Sequence, residues 1–145
     1  MSRAYVVDAS VFAPLMIVLG KELRDVMRRH EFHLLDLTLY EVCNAFWKGS
    51  LKLGKLPAED AVTLCRLTIK LSKYAVIHRL RDMDVEKLMR VALNDSITVY
   101  DASYLELAAE LGIPVASNDR DILMNASKHG VRAHGLREFI KVIRE

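Results

Sequence analysis

Four acidic residues follow short β-branched or apolar runs, at the points where a helical pattern begins. The runs are AYVV before Asp8, HLLDLTLY before Glu41, SITVY before Asp101 and IPVASN before Asp119. In a parallel α/β sheet the carboxyl ends of the strands share one edge, and open sheets bind their ligands there. Carboxylates brought to that edge by separate segments repel one another unless a cation lies among them. The pattern therefore predicts a divalent-metal site.

Each of these acids also has a structural alternative. Asp8, Asp101 and Asp119 could cap helix N-termini, and Glu41 could complete a capping box that begins at Thr38. Serine, threonine and asparagine serve equally well as caps, whereas a hard cation such as Mg²⁺ or Mn²⁺ prefers anionic oxygen. Carboxylates at all four junctions therefore favour metal binding. The two roles are compatible, because a helix N-terminus also stabilises an anion.

Other catalytic chemistries find little support in the sequence. The five histidines lack HxxxH or HxH spacing, and the six glycines are scattered and form no phosphate-binding loop. No G-x-S-x-G motif supplies a serine nucleophile. Cys43 and Cys65 fall within helical patterns and are expected to be small buried side chains in a reducing compartment. Metal-assisted hydrolysis remains as the chemistry that the sequence favours.

The elements that must position these carboxylates alternate between strand and helix. Apolar patterns predict strands at residues 6–7, 33–37, 75–78, 97–100, 115–117 and 131–134. Helical patterns cover residues 9–19, 21–30, 58–73, 85–93 and 121–129, and others begin at residues 38, 101 and 136. The chain is long enough to bury a core and shows no repeat or linker. We therefore predict a single doubly wound α/β domain over residues 1–145, with a mainly parallel sheet flanked by helices.

Composition is that of a soluble globular protein, with 52% hydrophobic residues, 28% charged residues and a net charge of +2. Many lysines and arginines lie on the helical stretches between the acidic junctions. A polyanionic substrate would suit that layout, although solvated helix faces explain it equally well. The apolar stretch at residues 9–20 is too short to cross a membrane, and the N-terminus does not resemble a signal peptide. We expect a cytoplasmic protein without membrane contact.

Three blocks of the sequence resemble the PIN domain family, and especially its VapC-like toxin ribonucleases. The blocks are VVDASV at 6–11, LYEVCNAFWK at 39–48 and ITVYDASYLELAAELGIPVASNDRDIL at 97–123. The resemblance covers nearly the whole chain in order, and its third block is the most specific. It implies a PIN-like fold and an acidic quartet of catalytic metal ligands formed by Asp8, Glu41, Asp101 and Asp119.

The same resemblance assigns supporting roles to neighbouring residues. Ser10 and Ser117 match small hydroxyl positions near the metal, and Asn44 matches a polar position one helical turn after the glutamate. Ser117 stands where many members of the family have threonine, so the hydroxyl is kept. Asp121 follows two residues after Asp119 and is expected to be peripheral or to cap a helix. Arg120, beside the same acid, is predicted to contact RNA.

We therefore predict a metal-dependent endoribonuclease that hydrolyses RNA phosphodiesters through carboxylate-held Mg²⁺ or Mn²⁺. Single-stranded or loop RNA is the expected substrate, because its backbone can bend into a concave site. The resemblance further implies a cognate antitoxin protein, a homodimer and the role of toxin in a toxin–antitoxin pair. Phe46 and Trp47 suit either a core or an interface, and the core is favoured for both.

Two alternatives remain open at the level of the sequence. The first is a nuclease that processes RNA or recognises a nucleic-acid structure without being a toxin. The second is a catalytically inactive PIN-like binding module. An intact quartet argues against the inactive module, because a scaffold has no need to keep mutually repulsive carboxylates.

Overall fold

Residues 2–145 are described by a computed structural model, in which five strands form one sheet. The strands are β1 (Ala4–Val7), β2 (Glu31–Leu35), β3 (Val76–His78), β4 (Val115–Ala116) and β5 (Ala133–His134). This part of the chain also forms eight α-helices: α1 (Ala9–Leu19), α2 (Glu22–Arg29), α3 (Asp36–Trp47), α4 (Ala58–Ser72), α5 (Val85–Asp95), α6 (Val99–Leu111), α7 (Arg120–Asn125) and α8 (Leu136–Arg144). A π-helical turn at Lys48–Lys52 extends α3, and 3₁₀ turns lie at Leu80–Asp82 and Ala126–His129.

All neighbouring strands are parallel, in the order β3-β2-β1-β4-β5. The chain builds the sheet outward from β1 to β3, and then returns to the other side of β1 to add β4 and β5. In sheets of this kind, ligands bind outside the carboxyl ends of the strands where the order reverses. The predicted doubly wound α/β fold with a parallel sheet is confirmed, and its switch point lies between β1 and β4.

Successive residues of β1 belong to two different cores. Tyr5 and Val7 pack in a cluster that includes Phe12 and Phe139, whereas Val6 packs in a cluster with α6 and α7. Helices therefore cover both faces of the sheet, which explains why β1 is apolar at consecutive positions instead of alternating. Among residues 2–145, no helix is both long and apolar enough to span a bilayer.

The strand predicted at residues 97–100 is wrong, because helix α6 already begins at Val99. Thr98 is the N-cap, and its hydroxyl oxygen accepts a hydrogen bond from the Asp101 amide over 3.1 Å. A threonine cap ahead of helix-forming residues thus outweighs the β propensity of the short run Ile97–Tyr100. Asp101 consequently lies inside the first turn of a helix and is not itself a cap.

Strand β2 ends two residues earlier than predicted, at Leu35 instead of residue 37. Helix α3 begins at Asp36, and the Thr38 hydroxyl in its first turn accepts a hydrogen bond from the Leu35 amide over 3.0 Å. The capping box considered as an alternative role for Thr38 and Glu41 is therefore not formed. Thr38 lies within the helix, and the side chain of Glu41 has a different partner.

Boundaries in the last third of the chain also differ in detail. The helix predicted at residues 121–129 divides into α7 and a 3₁₀ turn, and β5 lacks the first two residues of the predicted strand. Strand β4 stops at Ala116, which leaves Ser117 just beyond its carboxyl end.

Of the two aromatic residues of α3 that the sequence assigned to the core, one is buried and the other is exposed. Phe46 lies in the main core, as predicted. The Trp47 ring is instead 46% exposed, with the Lys52 ammonium 5.8 Å from its centroid. Cys43 of this helix and Cys65 of α4 are half-buried free thiols, and burial raises the pKa of Cys43 to about 12.

Candidate metal centre

Asp8 follows β1 directly and lies at the switch point of the sheet. Its carboxylate accepts hydrogen bonds from the Ser10 hydroxyl (2.7 Å), the Ser117 hydroxyl (2.5 Å) and the Val11 amide (3.2 Å). Burial nevertheless raises the pKa of Asp8 to about 6, and the nearby charge of Glu41 adds to the rise. Asp8 is thus the N-cap of α1, and its carboxylate is also buried and costly to ionise.

The two serines join the ends of β1 and β4. The Ser10 hydroxyl accepts a hydrogen bond from the Asn118 amide (2.8 Å), and the Ser117 hydroxyl accepts one from the Asp119 amide (2.9 Å). Because both hydroxyls also donate to Asp8, each orients that carboxylate and holds the loop after β4 against it. The structure therefore places both serines against Asp8, one of the acids that the family resemblance assigns to the metal site.

Glu41 lies one turn into α3, where a buried tyrosine from α6 holds its carboxylate. The Tyr104 hydroxyl donates to Glu41 Oε1 over 2.6 Å, and the same hydroxyl lies 2.8 Å from Thr38 Oγ1. Burial and the charge of Glu41 raise the pKa of Tyr104 far above its usual range, so the phenol keeps its proton. An amide only donates and a carboxylate only accepts. The hydrogen bonds therefore run in one direction, from the Leu35 amide through Thr38 and Tyr104 to Glu41.

Asp101, Asp119 and Asp121 form the most compact acidic group of the described chain. One carboxylate oxygen of each lies within 4.8 Å of the others. Burial and the charges of Asp119, Asp121 and Glu41 together raise the pKa of Asp101 to about 6. Asp119 also caps α7 by accepting a hydrogen bond from the Asp121 amide over 2.9 Å.

Asp121 is the functional candidate that sequence reasoning placed outside the site. Its exposed carboxylate belongs to the same acidic group as Asp101 and Asp119. The sequence pattern that could have identified it is the D-x-D spacing after a strand. An aspartate at the N-cap and a second one two residues later both lie at the start of the same helix, so their carboxylates can be close.

Glu41 lies close enough to interact both with Asp8 and with the acidic group that contains Asp101, because its charge raises the pKa of both aspartates. All the candidate donors are carboxylate oxygens, which suit hard ions such as Mg²⁺ and Mn²⁺ better than zinc or copper. Burial, together with repulsion from neighbouring acids, raises the pKa of Asp8 and Asp101, and a bound cation would offset this cost of ionising them. The donor set and its electrostatics therefore fit a divalent cation.

An open cleft of about 610 Å³ lies beside α3, and Glu41 is the candidate carboxylate that lines it. Ser10, Glu41, Asn44 and Lys48 contribute to its walls. Asn44 thus faces the cleft, one helical turn after Glu41. The exposed Arg120 lies at the start of α7, where its Nε donates to the sulfur of Met124 over 3.2 Å.

Comparison with known proteins agrees with this geometry. The sequence profile of the PIN domain matches residues 5–127. The chain is 34% identical to Exonuclease VapC9 of Pyrobaculum aerophilum over 82% of its own length and 83% of that protein. It is 32% identical to Ribonuclease VapC3 of the same organism, over 81% of its length and 90% of that protein.

Solved structures show the same architecture. The crystal structure of PAE2754 from Pyrobaculum aerophilum superposes with a TM-score of 0.76 at 27% identity, over 97% of this chain and 89% of that one. A PilT N-terminus domain protein from Sulfolobus solfataricus, SSO1118, is similar in fold alone, with a TM-score of 0.54 and 16% identity over 98% of this chain and 94% of that one. The profile match and the two relatives together show that this chain belongs to the PIN domain family.

Proposed function

We propose that this protein is a metal-dependent endoribonuclease of the VapC type. The observation that carries the proposal is that acids from separate segments act on one another: Asp101, Asp119 and Asp121 lie together, and the charge of Glu41 raises the pKa of both Asp8 and Asp101. Of the two relatives, one is named an exonuclease and the other a ribonuclease. A repulsive group of this kind is expected where a cation and a phosphodiester must be held together.

In this proposal the quartet holds one or two Mg²⁺ or Mn²⁺ ions, and Asp121 stands close enough to contribute. Bound there, such ions supply a water activated for in-line attack on phosphorus and stabilise charge on the leaving oxygen. Ser10 and Ser117 orient the carboxylate of Asp8, while Tyr104 orients that of Glu41. Lys48 in the cleft and the exposed Arg120 next to Asp119 provide positive charge for the RNA backbone.

Incubation of the purified protein with single-stranded RNA tests the proposal directly. We expect cleavage in the presence of Mn²⁺ or Mg²⁺, and none when EDTA replaces the metal. Sequencing of the RNA ends after expression of wild type and Asp101→Asn protein in parallel should show new internal ends only with the wild type. A folded preparation that leaves RNA intact with either metal would instead favour a catalytically inactive binding module.

We further propose that the protein is a cytoplasmic toxin that forms a homodimer and is blocked by a cognate antitoxin. Support comes from the VapC names of its relatives and from exposed apolar side chains along α3, the π-helical turn and α4, which suit a protein interface. These side chains are Trp47, Leu51, Leu53, Val62 and Ile69. Growth arrest on expression, relieved by a small protein encoded next to it, would distinguish a toxin from a processing nuclease. Light scattering of the purified protein measures the oligomeric state.

Without metal, the protein is expected to lose stability as the pH rises from about 5 to about 7.5. Burial raises the pKa of Asp8 and Asp101 from 3.8 to about 6. Between these values the folded state binds protons that the unfolded chain does not, so stability falls with rising pH. A cation that binds only the native state reverses this loss. Mn²⁺ should therefore raise the Tm more at pH 7.5 than at pH 5, which thermal melts in Mn²⁺ and in EDTA measure.

The comparison for this experiment is Asp8→Asn, because it isolates the contribution of one buried carboxylate. In EDTA at pH 7.5 the variant should melt higher than wild type, since it lacks one buried negative charge. It should also gain less from Mn²⁺. If Mn²⁺ raises the Tm of wild type and of Asp8→Asn by the same amount, the cation does not bind at Asp8.

Arg120→Ala is expected to weaken RNA binding and to reduce its dependence on salt. Each phosphate contact to single-stranded nucleic acid contributes roughly 0.7 to the slope of log K against log salt, and the variant should lose about that amount. The loss should appear mainly in KM, with kcat changed much less. Arg29→Ala is the control, because Arg29 is exposed on α2 just before the amino end of β2, at the opposite edge of the sheet. An unchanged slope in Arg120→Ala would remove Arg120 from the RNA-binding surface.

A further inference from the structure

Two exposed tyrosines stand next to the candidate metal ligands. Tyr40 directly precedes Glu41 and is 79% exposed, and Tyr100 directly precedes Asp101 and is 60% exposed. Aromatic side chains of this size are buried on average, so two exposed rings at a polar site are informative. They suggest a ligand that covers aromatic surface while it occupies the site.

Both tyrosines line two adjoining depressions of the surface. One is the open cleft that contains Glu41 and Lys48. The other, here called the apolar recess, has a volume of about 270 Å³. Its walls are mostly apolar and include Leu35, Leu37, Leu80, Met83 and Val99. Leu37 also borders the cleft, so the recess and the cleft share three lining residues: Leu37 and the two tyrosines.

A ligand that fills both depressions needs a metal-binding or anionic group at one end and a flat apolar body at the other. An unpaired nucleotide has this shape: its phosphate meets the carboxylate-held cation and Lys48, and its base meets the aromatic rings. Bases of single strands are free to stack on such rings, whereas bases in a duplex are already stacked and paired. We propose that the apolar recess binds one unpaired nucleobase of the RNA beside the phosphodiester that is cleaved. This inference rests on the proposed ribonuclease function.

The polar atoms of the recess predict which bases it prefers. Asp36 and Ser103 lie in its wall. The Ser103 hydroxyl is engaged, because it donates to the Val99 carbonyl over 2.7 Å. Asp36 accepts a hydrogen bond from the Leu37 amide through Oδ1, and its carboxylate retains capacity for further donors. Adenine, cytosine and guanine offer an amino group to a carboxylate, whereas the single N–H of uracil is flanked by two carbonyl oxygens. The recess should therefore favour amino-bearing bases over uracil.

Steady-state cleavage of short oligoribonucleotides with Mn²⁺ tests this proposal. Loss of one aromatic stacking contact weakens single-strand binding roughly 5- to 150-fold, so kcat/KM of Tyr100→Ala should fall within that range. Tyr100→Phe keeps the ring and should cleave like wild type. Tyr74→Ala is the matched control, because Tyr74 is also a partly exposed tyrosine but lies before the amino end of β3, with Arg28 against its ring. It should leave kcat/KM unchanged.

Modified substrates test the recess without altering the protein. An abasic residue at one position next to the cleavage site should lower kcat/KM for wild type, and Tyr100→Ala should lose little more on that substrate. Uracil at the same position should be cleaved less well than cytosine, and Asp36→Asn should reduce that difference.

Three outcomes would overturn the assignment of the recess to a nucleobase. These are wild-type kcat/KM in Tyr100→Ala, an equal loss in Tyr100→Phe, and indifference of the wild type to an abasic residue at every position. With any of them, a protein side chain would become the better candidate occupant. A wild type that cleaves no RNA at all would instead refute the proposed function, so the two failures are distinguishable.

Discussion

Asp8→Asn, Asp101→Asn and Asp119→Asn are each expected to lower Mn²⁺-dependent RNA cleavage by at least about 100-fold. Changes that disturb only the surroundings of a metal ligand already cost roughly 10- to 100-fold, and these changes remove a ligand charge outright. Asparagine caps a helix about as well as aspartate, so Asp8 and Asp119 can lose their charge while α1 and α7 keep their caps. Cleavage rates, compared with circular dichroism of the same preparations, separate loss of chemistry from loss of fold.

The matched control is Asp84→Asn. Asp84 caps α5 by accepting a hydrogen bond from the Lys87 amide over 3.2 Å, and it lies outside the acidic group. It should retain full activity. Glu41→Gln is as clear a test as the aspartate changes, because Glu41 takes no part in a capping box and glutamine can still accept from Tyr104. If any one of these four variants cleaves RNA as fast as wild type, the residue substituted in it does not belong to the metal site.

Tyr104→Phe is expected to weaken Mn²⁺ binding and cleavage by about tenfold, with little change in RNA affinity. The phenol oxygen is the group that fixes the Glu41 carboxylate, and loss of a partner that orients a metal ligand typically costs 10- to 100-fold in metal affinity or activity. Calorimetric titration with Mn²⁺ measures the affinity for the metal in the absence of RNA. The dependence of cleavage rate on Mn²⁺ and on RNA concentration separates metal binding from substrate binding.

Two variants show whether the effect comes from orientation of Glu41. Tyr5→Phe is the control, because Tyr5 is equally buried and its hydroxyl has no hydrogen-bond partner within residues 2–145. It should bind Mn²⁺ like wild type. Thr38→Val removes the donor to Tyr104 but leaves Tyr104 able to donate to Glu41, so its effect should be smaller than that of Tyr104→Phe. Equal Mn²⁺ affinity in Tyr104→Phe and Tyr5→Phe would reduce Tyr104 to a core residue.

The sequence predicted the helices correctly where the spacing of apolar residues and the positions of glycine and proline indicate the same boundaries. Helices α1, α2 and α4 begin and end within one residue of the prediction, because Gly20 and Pro57 mark their ends and their apolar faces are unambiguous. The run Ile97–Tyr100 misled the prediction because β-branched residues favour strands, whereas here Thr98 acts as a cap. Local propensity gave the wrong element in this segment, yet it still placed Asp101 near the correct edge of the sheet.

The candidate site was predictable in its residue types but not in its hydrogen bonds. The four acids could be identified because each follows a short strand-like run at the point where a helical pattern begins. The link from Tyr104 to Glu41 joins residues 63 positions apart, and that from Ser117 to Asp8 spans 109 positions. Pairings of this kind depend on how α6 and β4 pack against the first half of the chain, and no local pattern encodes that packing. The same holds for Asp121, whose proximity to Asp101 depends on the arrangement of α6 and α7.

The switch point between β1 and β4 determines when the protein can first become active during its synthesis. Asp8 is synthesised before Ser117 and Asp119, and Ser117 follows it by 109 positions. Until β4 emerges from the ribosome and pairs with β1, Asp8 has neither its serine partner from β4 nor the acidic group beyond it. Interrupted translation products that end before residue 117 therefore lack the assembled site. If the proposed ribonuclease function is correct, this order of assembly would leave the message and the ribosome uncut until β4 has been made.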